Sequence, residues 1–193
     1  MYDKNQLRTL FASGVQPPIR CLRTLGVKPT HITLFGFILC ISACYAYYLG
    51  NTMAPFVLMV AGRICDALDG AYARATDQVT RFGGFLDSML DRYGEFCVVG
   101  VILYVYRDDQ YLYYFSFLIF LGIAMMSYTR SLYGKYEMEC PGNPFEYFER
   151  GLLLAPFFLL DMLNVWVIVV GVGTNFFVLQ RIYLFSRAEA QLD

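Results

Sequence analysis

Charge is what this sequence has least of. Lys, Arg, Asp and Glu together make up 16% of its 193 residues, against 58% hydrophobic side chains. A soluble domain carries about 25% charged residues and about 45–50% apolar ones, so there is too little charge here to coat a water-facing surface. The six cysteines include no C-x-x-C pair, and most sit in apolar runs. That excludes a zinc site or a disulfide framework and leaves them as small core residues or free thiols. Net charge is −1, which gives no general attraction to nucleic acid, and the high hydrophobicity excludes disorder. The one histidine, His31, follows Pro29-Thr30, where a helix cap explains it better than catalysis.

What is abundant is apolar and aromatic side chain arranged in long runs. Six stretches, near 30–49, 53–75, 79–106, 110–133, 145–162 and 165–186, each offer about the 20 helical residues needed to cross a bilayer core of roughly 30 Å. Gly50-Asn51, Thr76-Asp77, Arg107-Asp108-Asp109, Pro141-Gly142-Asn143-Pro144 and Leu163-Asn164 punctuate them. The expected fold is therefore an all-α integral membrane protein with six transmembrane helices. Ahead of them, residues 1–28 lack the continuous apolar stretch of a signal peptide. Leu7, Leu10, Phe11, Val15, Ile19 and Leu22 instead suggest an N-terminal amphipathic helix on the membrane surface. The chain thus divides into a surface segment, 1–28, and a six-span domain, 29–193.

The basic residues predict orientation. Thirteen of the fifteen, from Lys4 to Arg187, flank the N-terminus, the 74–82 turn, the 131–144 loop or the C-terminus. Only Arg107 falls on the opposite side, and Arg63 lies inside a span. By the positive-inside rule both termini and those two loops are cytoplasmic. Tyr111, Tyr113, Tyr114 and Trp166 read as interfacial aromatics.

Against this background four acids stand out. Asp66 and Asp69 are three apart on the second span, and Asp87 and Asp91 four apart at the start of the third. Each pair lies within about 60° on one helical face. A short turn joins the two spans, so the four carboxylates converge near the cytoplasmic surface. At roughly 2.5–3.5 kcal/mol per central acid the insertion cost approaches about 10 kcal/mol, comparable with a typical net stability of about 5–15 kcal/mol. An interfacial ion-pair network with Arg63, Arg74 and Arg92 would relieve some of it, but needs neither four acids nor adjacent glycines. All-oxygen clusters suit hard cations such as Mg²⁺, which take a few carboxylates plus phosphate oxygens. Two such ions on four acids would clamp a diphosphate. Gly70, Ala73 and Gly83 leave room for a flat group or a close helix.

The pattern Asp66-x-x-Asp69-Gly70-x-x-Ala73-Arg74, eight residues, then Gly83-x-x-x-Asp87-x-x-x-Asp91 fixes eight positions over 26 residues. It resembles the full signature of the CDP-alcohol phosphotransferases. That resemblance implies a membrane enzyme of phospholipid synthesis that moves a phosphoalcohol from a CDP-linked lipid donor to an acceptor alcohol and releases CMP. It implies metal ligation by Asp66, Asp69, Asp87 and Asp91, with Mg²⁺ as the ion, Mn²⁺ as an alternative, and Asp91 as general base. It also implies a CDP pocket from Asp66, Asp69, Gly70, Ala73, Arg74, Gly83 and Asp87, and family members often resemble homodimers.

For the acceptor, Ser127-Tyr128-Thr129-Arg130 and Glu149-Arg150 resemble the inositol-phosphate branch, and the stretches 81–88 and 91–93 look most like its archaeal members. Arg130, Lys135 and Arg150 would then grip the phosphate of inositol 1-phosphate. Two departures leave glycerol phosphate or another polyol open. Leu132 stands where that branch has a second basic residue, and its Glu-Arg-x-Glu-Arg run is here Glu146-Tyr147-Phe148-Glu149-Arg150. Glu95, a turn beyond Asp91, pairs with Arg63 or supports the cluster. A cation or proton transporter would need acids along a path across the bilayer, and here they crowd one half. A membrane prenyltransferase also holds diphosphate on aspartates, but resembles a longer chain.

Overall fold

In a computed structural model, residues 19, 22–24, 26–160 and 162–189 are described. Among them the chain is helical, with no strand, and forms six long helices. These are α1 Pro29–Tyr48, α2 Met53–Ala75, α3 Arg81–Val105, α4 Gln110–Lys135, α5 Tyr147–Leu159 and α6 Leu163–Glu189. The helix starts follow local chemistry. Proline opens α1, where its missing N–H costs nothing, and His31 Nδ1 accepts from the Lys28 N–H at 3.4 Å, the capping role expected of it. The Asn51 carboxamide accepts from Ala54 N–H (2.8 Å), Thr80 Oγ1 from Gly83 N–H (3.0 Å), and Asp109 from Tyr111 and Leu112 N–H (3.1 and 3.0 Å). Each satisfies donors that a helix start leaves free. Gly50 turns the chain out of α1 at φ 82°, and Asp77 turns it out of α2 at φ 55°, a conformation aspartate tolerates better than most residues.

Among the described residues three helices, α1, α4 and α6, are long and apolar enough to cross a membrane. The helices α2 and α3 have the length, at 23 and 25 residues, but carry the charged clusters. The fifth differs from expectation. It has 13 residues with Pro156 inside, so it measures about 20 Å rather than filling 145–162. Asn143 accounts for its late start: its side chain accepts from Phe145 N–H at 2.8 Å and donates to Glu146 at 3.0 Å, tying those residues into the loop. The expected turn at Leu163-Asn164 is instead the first turn of α6. The chain reverses just before it, where Met162 N–H bonds the Phe157 carbonyl at 3.0 Å.

The core runs along the middle of the bundle and draws on every helix: Ala43, Met59, Val99, Ile102, Ile119, Leu154, Trp166 and Val167 among others. Trp166, expected at the interface, is 4% exposed and packs into this core cluster instead. Tyr111, Tyr113 and Tyr114 do remain exposed. The pair α4–α6 approaches most closely at glycine. A Cβ on Gly122 would lie 2.2 Å from Thr174 Oγ1, so only glycine admits the crossing. The buried Thr174 hydroxyl is satisfied within its helix by the Val170 carbonyl (2.7 Å).

A second, smaller cluster joins Ile19 to Ile32 and Tyr72, with Leu22 and Val27 against it, and Tyr72 donates to the Val27 carbonyl at 2.8 Å. The remaining apolar positions of the expected amphipathic segment, Leu7, Leu10, Phe11 and Val15, lie outside the described residues. Five cysteines are described, and all are free thiols.

Candidate active site

The five residues 76–80 join α2 to α3; the two do not pack on each other as sequence neighbours would be expected to, because α1 packs against both, and both carry their acids at the end near that turn. The structure brings carboxylate oxygens of Asp66, Asp69 and Asp87 within 4.8 Å of one another. Asp69 is buried, and the Thr33 hydroxyl of α1 donates to its Oδ2 at 2.7 Å. That leaves the other oxygen of Asp69 for a ligand. Asp87 Oδ1 is buried with no hydrogen-bond partner. Burying an acceptor in that way is costly unless something binds it. Asp91 faces the same small cavity, of about 40 Å³, from one turn further along α3. Its nearest cationic contact is Arg92 at 3.8 Å, beyond hydrogen-bonding distance.

A larger cavity of about 510 Å³ adjoins the acids. It lies between the start of α1, the end of α2 and the start of α3. Its lining includes Asp69, Gly70, Ala73, Arg74, Gly83 and Asp87, six of the seven residues expected at the nucleotide; Asp66 lines the smaller cavity instead. Its volume suits a ligand of nucleotide size. The glycines do more than leave room. A Cβ on Gly70 would lie 3.2 Å from Arg74 Nη1, so the bare backbone lets that guanidinium lie back along the helix beside the cavity. A Cβ on Gly83 would meet Thr80 Oγ1 at 3.0 Å, so here glycine serves the helix cap.

The three cations expected at the acceptor are not brought together. Arg130 is exposed and pairs with Glu146 at 2.8 Å. Lys135 is exposed, its ammonium 5.6 Å from the Tyr136 ring centroid. Arg150 is 5% exposed and spends its guanidinium on Glu95 and the Phe145 carbonyl. Glu95 is therefore the partner of Arg150 rather than of Arg63. Arg181, one of the thirteen basic residues that predict orientation, is 2% exposed and bonds the Pro141 and Met126 carbonyls and Glu146. A basic residue inside an apolar span was the available sign of this. Thr33 and Tyr147, which line the acid cavity, carry no such sign.

An acid cluster open to a nucleotide-sized cavity, in a helical bundle with membrane-length helices, defines a membrane enzyme acting on a diphosphate. The comparisons with known proteins narrow this further. Residues 27–177 match the family CDP-alcohol phosphatidyltransferase. The chain is similar to archaetidylinositol phosphate synthase of Pyrococcus horikoshii, 33% identical with 85% of this chain and 86% of that one aligned. It is also similar to archaetidylinositol phosphate synthase of Methanothermobacter thermautotrophicus, 29% identical over 95% and 94%. Phosphatidylinositol phosphate synthase of Mycobacterium tuberculosis, crystallised with CDP-DAG bound, shares the fold with a TM-score of 0.80 at 22% identity, covering 88% of this chain and 92% of that one. The same enzyme in complex with manganese and citrate also gives 0.80, at 21% identity over 88% and 87%. The chain belongs to the CDP-alcohol phosphatidyltransferase family. It is an integral membrane enzyme that transfers a phosphoalcohol group from a CDP-linked donor to an acceptor alcohol.

Proposed function

We propose that the enzyme transfers a phosphatidyl or archaetidyl group from a CDP-lipid to inositol 1-phosphate, releasing CMP. The observation that carries the donor half is the junction of the acid cluster with the 510 Å³ cavity. The names of the two archaeal relatives support the acceptor. In this reading five helices cross the bilayer outright and α5, at about 20 Å, completes its crossing only with the residues flanking it, with residues 1–28 on the surface ahead of the 29–193 domain. The distribution of basic residues supports cytoplasmic termini and a cytoplasmic active site. Association as a homodimer belongs to the same proposal.

The site suits divalent cations: its donors are all oxygen, three carboxylates already converge, and one buried oxygen lacks a partner. Asp66, Asp69, Asp87 and Asp91 would hold two ions, with Mg²⁺ the natural choice. When bound, such ions neutralise the diphosphate and the CMP leaving group. The protein's own residues do the rest. Thr33 fixes the Asp69 carboxylate. Gly70, Ala73 and Gly83 form the cytidine wall, and Arg74 lies over it to meet phosphate. Asp91 takes the proton of the acceptor hydroxyl as that oxygen attacks phosphorus and the bond to CMP breaks. Arg130, exposed on α4, is the cation offered to the acceptor phosphate, while Arg150 supports that side of the bundle from beneath through Glu95.

The test is CMP release by the purified protein with CDP-archaeol or CDP-diacylglycerol, Mg²⁺ and an acceptor panel of inositol 1-phosphate, glycerol 3-phosphate and free inositol. Turnover that requires inositol 1-phosphate supports the proposal. Turnover with another acceptor alone overturns the acceptor assignment, and CMP from none of them overturns the donor half.

A further inference from the structure

Tyr147 opens α5 and lies far in sequence from the acids, yet its side chain reaches them. It lines the small cavity of about 40 Å³ together with Asp66, Asp87 and Asp91, which puts the phenol on the same confined space as the Asp91 carboxylate. It also lines a second cavity, of about 30 Å³, with Glu95, Arg150 and Trp166. Both cavities share Arg63, Gly94 and Tyr147 itself, so the tyrosine stands where the acid site meets the interior of the bundle.

The ring is held from several sides. The Arg63 guanidinium lies 4.3 Å from its centroid and that of Arg92 lies 5.8 Å away, within the range of cation–π attraction. Arg63 in turn is trapped against α5. A Cβ on Gly151, one turn after Tyr147 on the same face, would sit 3.0 Å from the Arg63 Cζ and Nε. Between them on α5, Arg150 bonds Glu95 of α3, which fixes how far the start of α5 stands from Asp91.

We propose that Tyr147 is a positioning residue for Asp91, and that Arg63 holds it in place through the face of its ring. A carboxylate base presents two oxygens and rotates about its own bond. A phenol donating to one oxygen stops that rotation and leaves the second oxygen aimed at the acceptor hydroxyl. Arg92, at 3.8 Å, supplies charge to Asp91 without a directed hydrogen bond. This inference deepens the assignment of Asp91 as the base and rests on it.

The experiment compares Tyr147→Phe, Arg63→Lys, the double variant and Asp91→Asn. It measures kcat, KM for CDP-diacylglycerol, and the unfolding midpoint of the metal-free protein in detergent. Phenylalanine keeps the ring and its stack but removes the hydroxyl. Tyr147→Phe is expected to lower kcat about tenfold, the scale of one hydrogen bond to a charged group. Donor KM and the unfolding midpoint should stay near wild type, because the nucleotide cavity is lined by other residues. Lysine keeps the charge of Arg63 but not its flat face, so kcat should fall similarly. The double variant should be no worse than the poorer single, because both act through one carboxylate. A wild-type kcat in Tyr147→Phe, or additive losses in the double variant, overturns the positioning role. So does a kcat loss accompanied by equal changes in donor KM and midpoint. If Asp91→Asn turns over normally, the assignment of the base fails and this inference fails with it. If Asp91→Asn is inactive while Tyr147→Phe is normal, only the positioning role fails.

Discussion

Replacing Glu95 with Gln should separate stability from acceptor recognition on the α3–α5 side of the site. Glu95 and Arg150 have side chains 9% and 5% exposed, and the guanidinium binds the carboxylate through two of its nitrogens while the third bonds the Phe145 carbonyl. Glutamine keeps the shape but removes the charge, so Arg150 becomes a buried cation without a counterion. Breaking a buried pair in this way costs about 3–5 kcal/mol. At about 2–4 °C per kcal/mol for a chain of this size, the unfolding midpoint should fall by about 6–20 °C. Circular dichroism in detergent micelles measures it, and fluorescence of Trp166, which lines the same cavity, reports the local change. A Glu95→Leu, Arg150→Met pair removes both charges and should recover most of the loss, since a packed apolar pair is no less stable than a buried ion pair. Below the midpoint, Glu95→Gln should keep its acceptor KM. A midpoint within about 2 °C of wild type, or a double variant as damaged as the single, would refute the reasoning. An acceptor KM that rises at full folding would return Arg150 to the binding surface.

Three other outcomes are expected. Chelation with EDTA should abolish CMP release, and added Mg²⁺ or Mn²⁺ should restore it; turnover that survives chelation would contradict the role of the acid cluster. Arg130→Ala should raise the KM for a phosphorylated acceptor about tenfold, the weight of one charge-assisted hydrogen bond, with little effect on the midpoint because Arg130 is exposed and Glu146 keeps its bond to Arg181. An unchanged KM would remove Arg130 from the phosphate grip. Thr33→Val should raise the Mg²⁺ concentration for half-maximal CMP release several-fold, because Asp69 loses the donor that orients it; the check is a metal titration, and an unshifted curve would show that Asp69 is positioned by its helix alone.

The donor half of the site was legible in the sequence because its parts are local. Asp66, Asp69, Gly70, Ala73, Arg74, Gly83, Asp87 and Asp91 fall within 26 residues, and helix periodicity across one short turn already places them on facing surfaces. The first four helices were legible for the same reason, with ends that deviate by at most two residues from the hydrophobic runs. The acceptor side was not. Its contacts join residues far apart: Arg130 to Glu146 across 16 positions, Arg181 to Glu146 across 35, Arg150 to Glu95 across 55. Which acid neutralises which base there is decided by how α3, α4, α5 and α6 pack, and no periodicity encodes it. Thr33 and Tyr147 are ordinary residues in apolar surroundings, recognisable only once α1 and the start of α5 are seen beside the acids. The shortness of α5 is hidden in the sequence because hydrophobicity continues through Leu160, beyond the helix that Pro156 and the turn at Met162 allow.

Among the described residues, the cavity proposed for the nucleotide takes its lining from positions 28–87, with none from α4, α5 or α6. That cavity is therefore built by the first three helices, with the later half entering only the acid cavity beside it, through Tyr147. A chimera that keeps this chain through the α3–α4 turn and takes the later helices from a relative with another acceptor should retain its donor affinity and exchange its product. Diversification of head groups then needs only the later half of the chain to change, while the earlier half goes on handling the same activated lipid.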